Sequence, residues 1–157
     1  QLQSMRAACG AALARDLHLR LDALAAAAAA IAAERPALEA GLRAKLERRL
    51  QEWLGSAAAA PAPERLVQEA ALLAERSDIS EELTRLDAHL AQARALLAAG
   101  GAVGKKLDFL AQELGREVNT LCSKTTAASP AALRITDLGL TLKAELEKFR
   151  EQSQNLE

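Results

Sequence analysis

Tyrosine does not occur in this chain, and one tryptophan and two phenylalanines are its only aromatic residues, 2% of the whole. Strands draw on aromatic and β-branched side chains, and runs of neither are present, so a sheet-based core has little to be built from. Cysteine is almost as scarce. Cys9 and Cys122 are too few for a disulfide framework and point to a reducing cytosol. No sign of charge dominates, with 20 basic against 21 acidic residues, so any attraction to an anionic partner must come from local clusters. Long apolar runs are missing too. Ala25 to Ala30 is short, weakly apolar and not preceded by a basic n-region, so no secretory signal is expected, and nothing is suited to span a bilayer.

What remains is alanine, leucine, glutamate and arginine, with 50% of the residues hydrophobic. Alanine is the best helix former and a small core filler, so the composition predicts an all-α fold. Leu13, Leu17, Leu21, Leu24 and Ile31 recur at helical spacing and predict a first helix over 3–33. The ERP at Glu34–Pro36 interrupts it, with Pro36 suited to open a second helix carrying Leu38, Leu42, Leu46, Leu50, Trp53 and Leu54. These two predict a long antiparallel hairpin over 1–54. It either packs its stripe on the rest or projects as an arm, and its Ala-rich and charged outer faces favour the arm. A small-residue linker covers 55–63, followed by a C-terminal helical domain over 64–157 of about four helices.

Within that domain a short helix runs from Glu64 to Glu75. Ser77 or Asp78 is a natural N-cap for the next, with Glu81 completing a capping box. Ile79, Leu83, Leu86, Leu90 and Leu97 form its buried stripe, and Gly100–Gly101 end it. A helix from about Gly104 to Ser123 buries Leu107, Leu110, Leu114, Val118 and Leu121. Thr125 to Ala132 reads as a loose loop, and a last helix over 133–155 buries Ile135, Leu138, Leu142, Leu146 and Phe149.

Two of these helices are rich in acids. Glu82 and His89 lie to one side of the Ile79 stripe, with Asp78 near them and Arg85 beyond. They are two turns apart, roughly 10 Å, and need a second helix to share an ion. On the following helix Glu113 and Glu117 are like charges at i,i+4, which repel, while Asp108, Gln112 and Asn119 make a second polar line. A solvated face with arginine partners explains each helix alone. The short GGAVG connection makes them antiparallel neighbours, however, and facing flanks bring Glu82 or His89 near Glu113 or Glu117. Such oxygen and imidazole donors suit Mg²⁺ or Mn²⁺. Lys105 and Lys106 open a helix, where cations oppose the dipole, a placement better suited to meeting phosphate. No P-loop, dinucleotide fingerprint or zinc spacing is present, and Cys122 has no evident base to activate it.

Taken together, SDISEELTRLDAHL, GKKLDFLAQELGREVNTLCSK and the closing LKAELEKFREQSQNLE resemble the C-terminal part of the YicC/YloC family of bacterial proteins. The likeness covers 64–157 strongly and the Ala-rich segment only in general character. It implies a cytoplasmic endoribonuclease that cuts single-stranded RNA with a divalent metal, Mg²⁺ or Mn²⁺. It also implies a homo-oligomer, with six copies as the expected number, and no DNA or membrane partner. Full-length members carry an N-terminal domain that this chain, which starts without methionine, is expected to lack. Matching polar positions are Glu69, Asp78, Glu81, Glu82, His89, Lys105, Lys106, Asp108, Gln112, Glu113, Arg116, Glu117, Asn119 and Lys124. On that basis Glu82, His89, Glu113 and Glu117 are the expected catalytic residues, and with Asp78 the expected metal ligands. Lys105, Lys106, Arg116, Asn119 and Lys124 are expected to meet RNA. Gly115 and Cys122 depart from the family, which usually has Asn or a similar residue and Gly at those places. The rival expectation is a non-catalytic RNA-binding adaptor or oligomerisation scaffold that delivers RNA to another nuclease, its acids forming inter-subunit salt bridges. A purely structural bundle would have no RNA affinity at all.

Overall fold

The computed structural model describes residues 2–55, 63–125 and 129–156; side chains at 2–9, 54, 63, 76 and 77 lie outside the description. All of the regular structure is helical: α1 (Leu2–Leu54), α2 (Pro63–Ser77), α3 (Ser80–Ala99), α4 (Gly104–Lys124) and α5 (Pro130–Ser153). None of these helices is long and apolar enough to cross a membrane.

The expected hairpin at Pro36 is not formed. α1 runs through the proline as one helix of 53 residues. An internal proline removes a hydrogen bond and crowds the carbonyl four residues back, at a cost of about 3 kcal/mol. Packing overrides that cost. Leu17, Leu21, Leu24, Ala28, Ile31 and Leu38 are all buried, and their alternating spacings of four and three continue in register across Pro36 as a single seam. Pro36 and Ala32 are both on the exposed side, so the carbonyl that loses its partner faces water. The seam enters the main core, which also corrects the projecting arm. Beyond Leu38 it weakens: Leu42, Leu46 and Trp53 are half-buried and Leu50 is exposed. This outer part does form an antiparallel pair, but with α2, through Arg49 and Glu69. The connecting residues 56–62, most of the expected linker, are outside the described residues, as is the Leu54 side chain.

α1, α3, α4 and α5 form a four-helix bundle in which each packs on two neighbours, α1 on α5 and α3, and α4 on the same two. Ion pairs fix antiparallel directions. Arg20 meets Glu145 at 3.4 Å and Glu34 meets Arg134 at 2.7 Å between α1 and α5. Arg94 of α3 meets Asp22 of α1 at 2.7 Å, and Arg150 of α5 meets Asp108 of α4 at 2.9 Å. The core joins the α1 seam to Ile79, Leu86, Leu107, Leu121, Ile135, Leu142 and Phe149, all at most 1% exposed except Leu142 at 2%. Leu97 and Leu138 are only partly buried against it.

The turns follow local chemistry. Gly100 and Gly101 have φ of 68° and 81°, a left-handed region that glycine adopts without strain, so α3 turns back into α4 within four residues. The capping box is replaced by a different device: Asp78 Oδ1 accepts from the Ser80 N–H at 2.9 Å, while Glu81 turns to Arg85. α5 begins three residues earlier than expected. Ser129 caps it by accepting from the Ala132 N–H at 3.1 Å, with Pro130 as its first residue. Residues 126–128 of the expected loop lie outside the described set.

α4 and α5 approach closely at one point, where a Cβ on Gly139 would collide with Cys122 Sγ. The same burial pushes the Cys122 thiol above its usual range, with Lys143 only partly offsetting it, which disfavours the thiolate form. Gly139→Ala is expected to lower stability by about 1–2 kcal/mol through overpacking. In a Cys122→Ala background the same change should be neutral or stabilising in urea unfolding. A second expectation concerns acid. Hydrogen bonds from Arg150 hold Asp108 below its ordinary 3.8, and those from Arg134 hold Glu34 below 4.5. Folded values lower than unfolded ones contribute stability above the unfolded pKa that is lost as pH falls through the folded one. Stability should therefore hold from neutral pH to about pH 5 and decline below pH 4, with a smaller decline in Asp108→Asn.

Candidate functional site

The antiparallel turn places the start of α3 beside the end of α4, and the two acid-bearing helices face each other there. Glu82 comes three residues after Ile79 and four before Leu86, and Glu117 three after Leu114 and four before Leu121. Both acids therefore sit at seam positions of their helices and are buried, at 3% and 8% exposure. A carboxylate removed from water needs a counter-charge, and each has one. Lys124 Nζ lies 2.8 Å from Glu82 Oε1 and also donates to the Asp78 carbonyl oxygen at 3.0 Å. Arg85 Nη1 lies 3.4 Å from Glu117 Oε1, and the same guanidinium bonds to Glu81. These carboxylates in turn hold the Arg85 guanidinium above its usual pKa, Glu81 more than Glu117. One oxygen is left over: Glu82 Oε2 is buried without a partner.

The remaining expected acids stand apart from this core. Glu113 pairs with Arg116 in its own helix at 3.0 Å. The Asp78 carboxyl is turned to Ser80, whose hydroxyl and N–H hold it below the usual range. His89 is half-buried, two turns along α3 from Glu82. Among the described residues no three acids, histidines or cysteines converge so as to hold a metal ion. The orphaned Glu82 oxygen is a donor such an ion would want. Yet Lys124 and Arg85 already neutralise the two buried acids, and a divalent ion would have to displace them. The expected set of Asp78, Glu82, His89, Glu113 and Glu117 does not fit a metal centre in this arrangement.

Of the residues expected to meet RNA, Lys105, Lys106, Arg116 and Asn119 are exposed, whereas Lys124 is committed to Glu82 and Asp78. At 100° per residue, Lys105, Lys106, Glu113, Arg116, Thr120 and Lys124 share roughly a third of the circumference of α4, and Phe109 stands at its centre. That ring is 60% exposed. Sequence reasoning passed over it, although an aromatic three and four residues after two lysines was visible in KKLDF. It also treated Arg85 and Lys124 as outward-facing, because the depth of Glu82 and Glu117 depends on how the helices dock.

The Lys124–Glu82 pair can be tested for a structural role. Lys124→Ala leaves a buried carboxylate without its cation and is expected to cost about 2–3 kcal/mol, discounted because the lysine is partly exposed. Lys124→Met combined with Glu82→Leu should recover most of that loss in urea unfolding, since an apolar pair of similar volume replaces the ion pair.

Residues 31–157 match the family model described as endoribonuclease YicC-like, C-terminal. The chain is 40% identical over 154 residues to a probable endoribonuclease YicC of Haemophilus influenzae, covering 98% of this chain and 50% of that protein. It is 36% identical over 157 residues to a probable endoribonuclease YicC of Clostridioides difficile, covering 100% of this chain and 52% of the relative. The chain thus spans about half the length of these curated relatives. With four-fifths of its residues inside the family match, the chain belongs to the YicC-like endoribonuclease family, in its C-terminal region.

Proposed function

We propose that this chain is the C-terminal helical part of an endoribonuclease that cuts single-stranded RNA in the cytoplasm as a homo-oligomer, with six copies the expected number. Beside the family membership, the observation that carries this reading is the outer face of α4. It joins two exposed lysines, Lys105 and Lys106, to the Glu113–Arg116 pair and the rim of Glu117 on one side of one helix. Lysines supply the phosphate attraction on which single-strand binding rests. A carboxylate supplies a general base for the attacking hydroxyl or water, and a guanidinium beside it stabilises negative charge developing on the phosphoryl oxygens. Glu113 and Glu117 are the acids placed for the first task, and Arg116 and Arg85 for the second. Glu82 holds Lys124 and is a positioning residue in this scheme. The base keeps the proton of the nucleophile while the leaving oxygen takes one from solvent, a balance common to hydrolysis and transesterification. The divalent cation implied by the resemblance carries no step, because its donor set is not assembled.

One observation favours the rival reading of an RNA-binding adaptor or scaffold: Glu82, Glu113 and Glu117 each already have a cation. Purified full-length protein, free of contaminating nuclease and assayed on single-stranded RNA with Mg²⁺ or Mn²⁺ and with EDTA, separates the two. Cleavage is expected, and Glu113→Gln with Glu117→Gln should slow it by on the order of a hundredfold or more. A wild-type rate in that variant removes these acids from the chemistry. Binding without cleavage in either buffer makes the protein an adaptor.

A further inference from the structure

Where the last turns of α3 pass the first turns of α4 there is a hollow of about 460 Å³, lined by Gln92, Leu96, Lys105, Lys106, Phe109 and Leu110. It lies at the opposite end of the α3–α4 pair from the Glu82–Lys124 contact. Its chemistry is unusual for this surface. Leu96 and Leu110 give an apolar floor, Phe109 presents an aromatic face to solvent, and both lysines stand at the rim with no carboxylate among the lining residues. Neither lysine enters an ion pair with another described residue, whereas Lys124, Arg85, Arg116 and Arg150 are all paired. The other hollow with an aromatic wall, about 300 Å³ between α1 and α2, differs in each respect. Glu47 and Glu69 line it, and its Arg49 is taken up by Glu69 and by the Trp53 ring, 6.0 Å away.

A flat apolar face flanked by unpaired cations matches a ligand that is planar on one side and anionic on the other. A nucleotide of single-stranded RNA has that form, since an unpaired base exposes its π-face while the phosphates run past it. A duplex hides those faces in its stack.

We infer that this hollow is a base-anchoring subsite, in which one unpaired nucleobase stacks on Phe109, Lys105 and Lys106 hold the adjoining phosphates, and the Gln92 amide hydrogen-bonds the base edge. The inference rests on the single-stranded RNA reading above and adds where the strand is gripped. Phe109 precedes Glu117 by eight residues on a straight helix, about 12 Å, so the anchored base lies a short way along the strand from the acids. Phe109 is a binding residue and takes no part in bond cleavage.

The test uses the full-length protein and fluorescence anisotropy with a labelled single-stranded RNA and a duplex of equal length. Phe109→Ala is expected to weaken single-strand binding roughly tenfold, the loss of one stacked base, and to leave duplex binding unchanged. Phe109→Leu, which keeps apolar bulk without the π-face, should behave like alanine, while Phe109→Trp should bind as wild type. Lys105→Gln with Lys106→Gln should flatten the dependence of log affinity on log salt by roughly 1.4, two single-strand phosphate contacts. In the cleavage assay Phe109→Ala should raise KM by about the same factor as it weakens binding. Wild-type affinity in Phe109→Ala overturns the subsite while leaving RNA cleavage standing. A change in oligomeric state with RNA affinity retained makes the hollow a subunit contact, which also overturns it. Failure of the wild-type protein itself to bind single-stranded RNA brings down both the subsite and the functional reading.

Discussion

One unbroken apolar seam on α1 sets the geometry of everything else. From Leu17 to Leu38 it gives α3 and α5 a common surface to dock against, and both contact α4 in turn. If α1 bent back at Pro36, the two halves of the seam would face each other, and α3 and α5 would lose the wall that spaces them. The proline is tolerated because the burial on either side of it lies on one face and is shared by the same neighbours. Local chain stiffness therefore yields to tertiary packing at this position.

The all-α class, the four helices after residue 63 and nearly every core leucine were legible in the sequence, because helical periodicity over twenty or so residues is a strong signal, whereas the earlier start of α5 at Ser129–Pro130 was not. The hairpin was misread because Pro36 is a local marker, whereas the Leu24, Ala28, Ile31, Leu38 spacing is a longer-range one that overrides it. Of the candidate site, the facing of the two acid-bearing helices was legible from the GGAVG connection. Burial was not: Glu82 and Glu117 differ from solvated glutamates only by a small rotation of their helices toward each other, which spacing alone does not fix. The partnership of Lys124 with Glu82 follows from that rotation.

The α3–α4 pair is thus differentiated along its length. At one end its charges are turned inward and neutralised in pairs, and the acids there serve the docking of the two helices as much as any chemistry. At the other end its cations are turned outward and unpaired beside an aromatic ring. The middle, around Glu113, Arg116 and the rim of Glu117, is where buried and exposed charge meet. That gradient, inward pairs at one end and outward lysines beside Phe109 at the other, is the feature on which the proposed contact with RNA rests.

The contacts of α1 also bear on how the bundle assembles. α3, α4 and α5 follow one another with only a few residues between them and can pair as they emerge from local collapse. The ion pairs that seat α1 on α5 instead bridge sequence separations of 100 and 125 residues. Closing loops of that size carries an entropic cost that local pairs avoid, and contacts at such separations slow folding. The longest helix is therefore the one whose docking is favoured to come last, onto a three-helix sheet of leucines already formed, and the seam across Pro36 is completed at that final step.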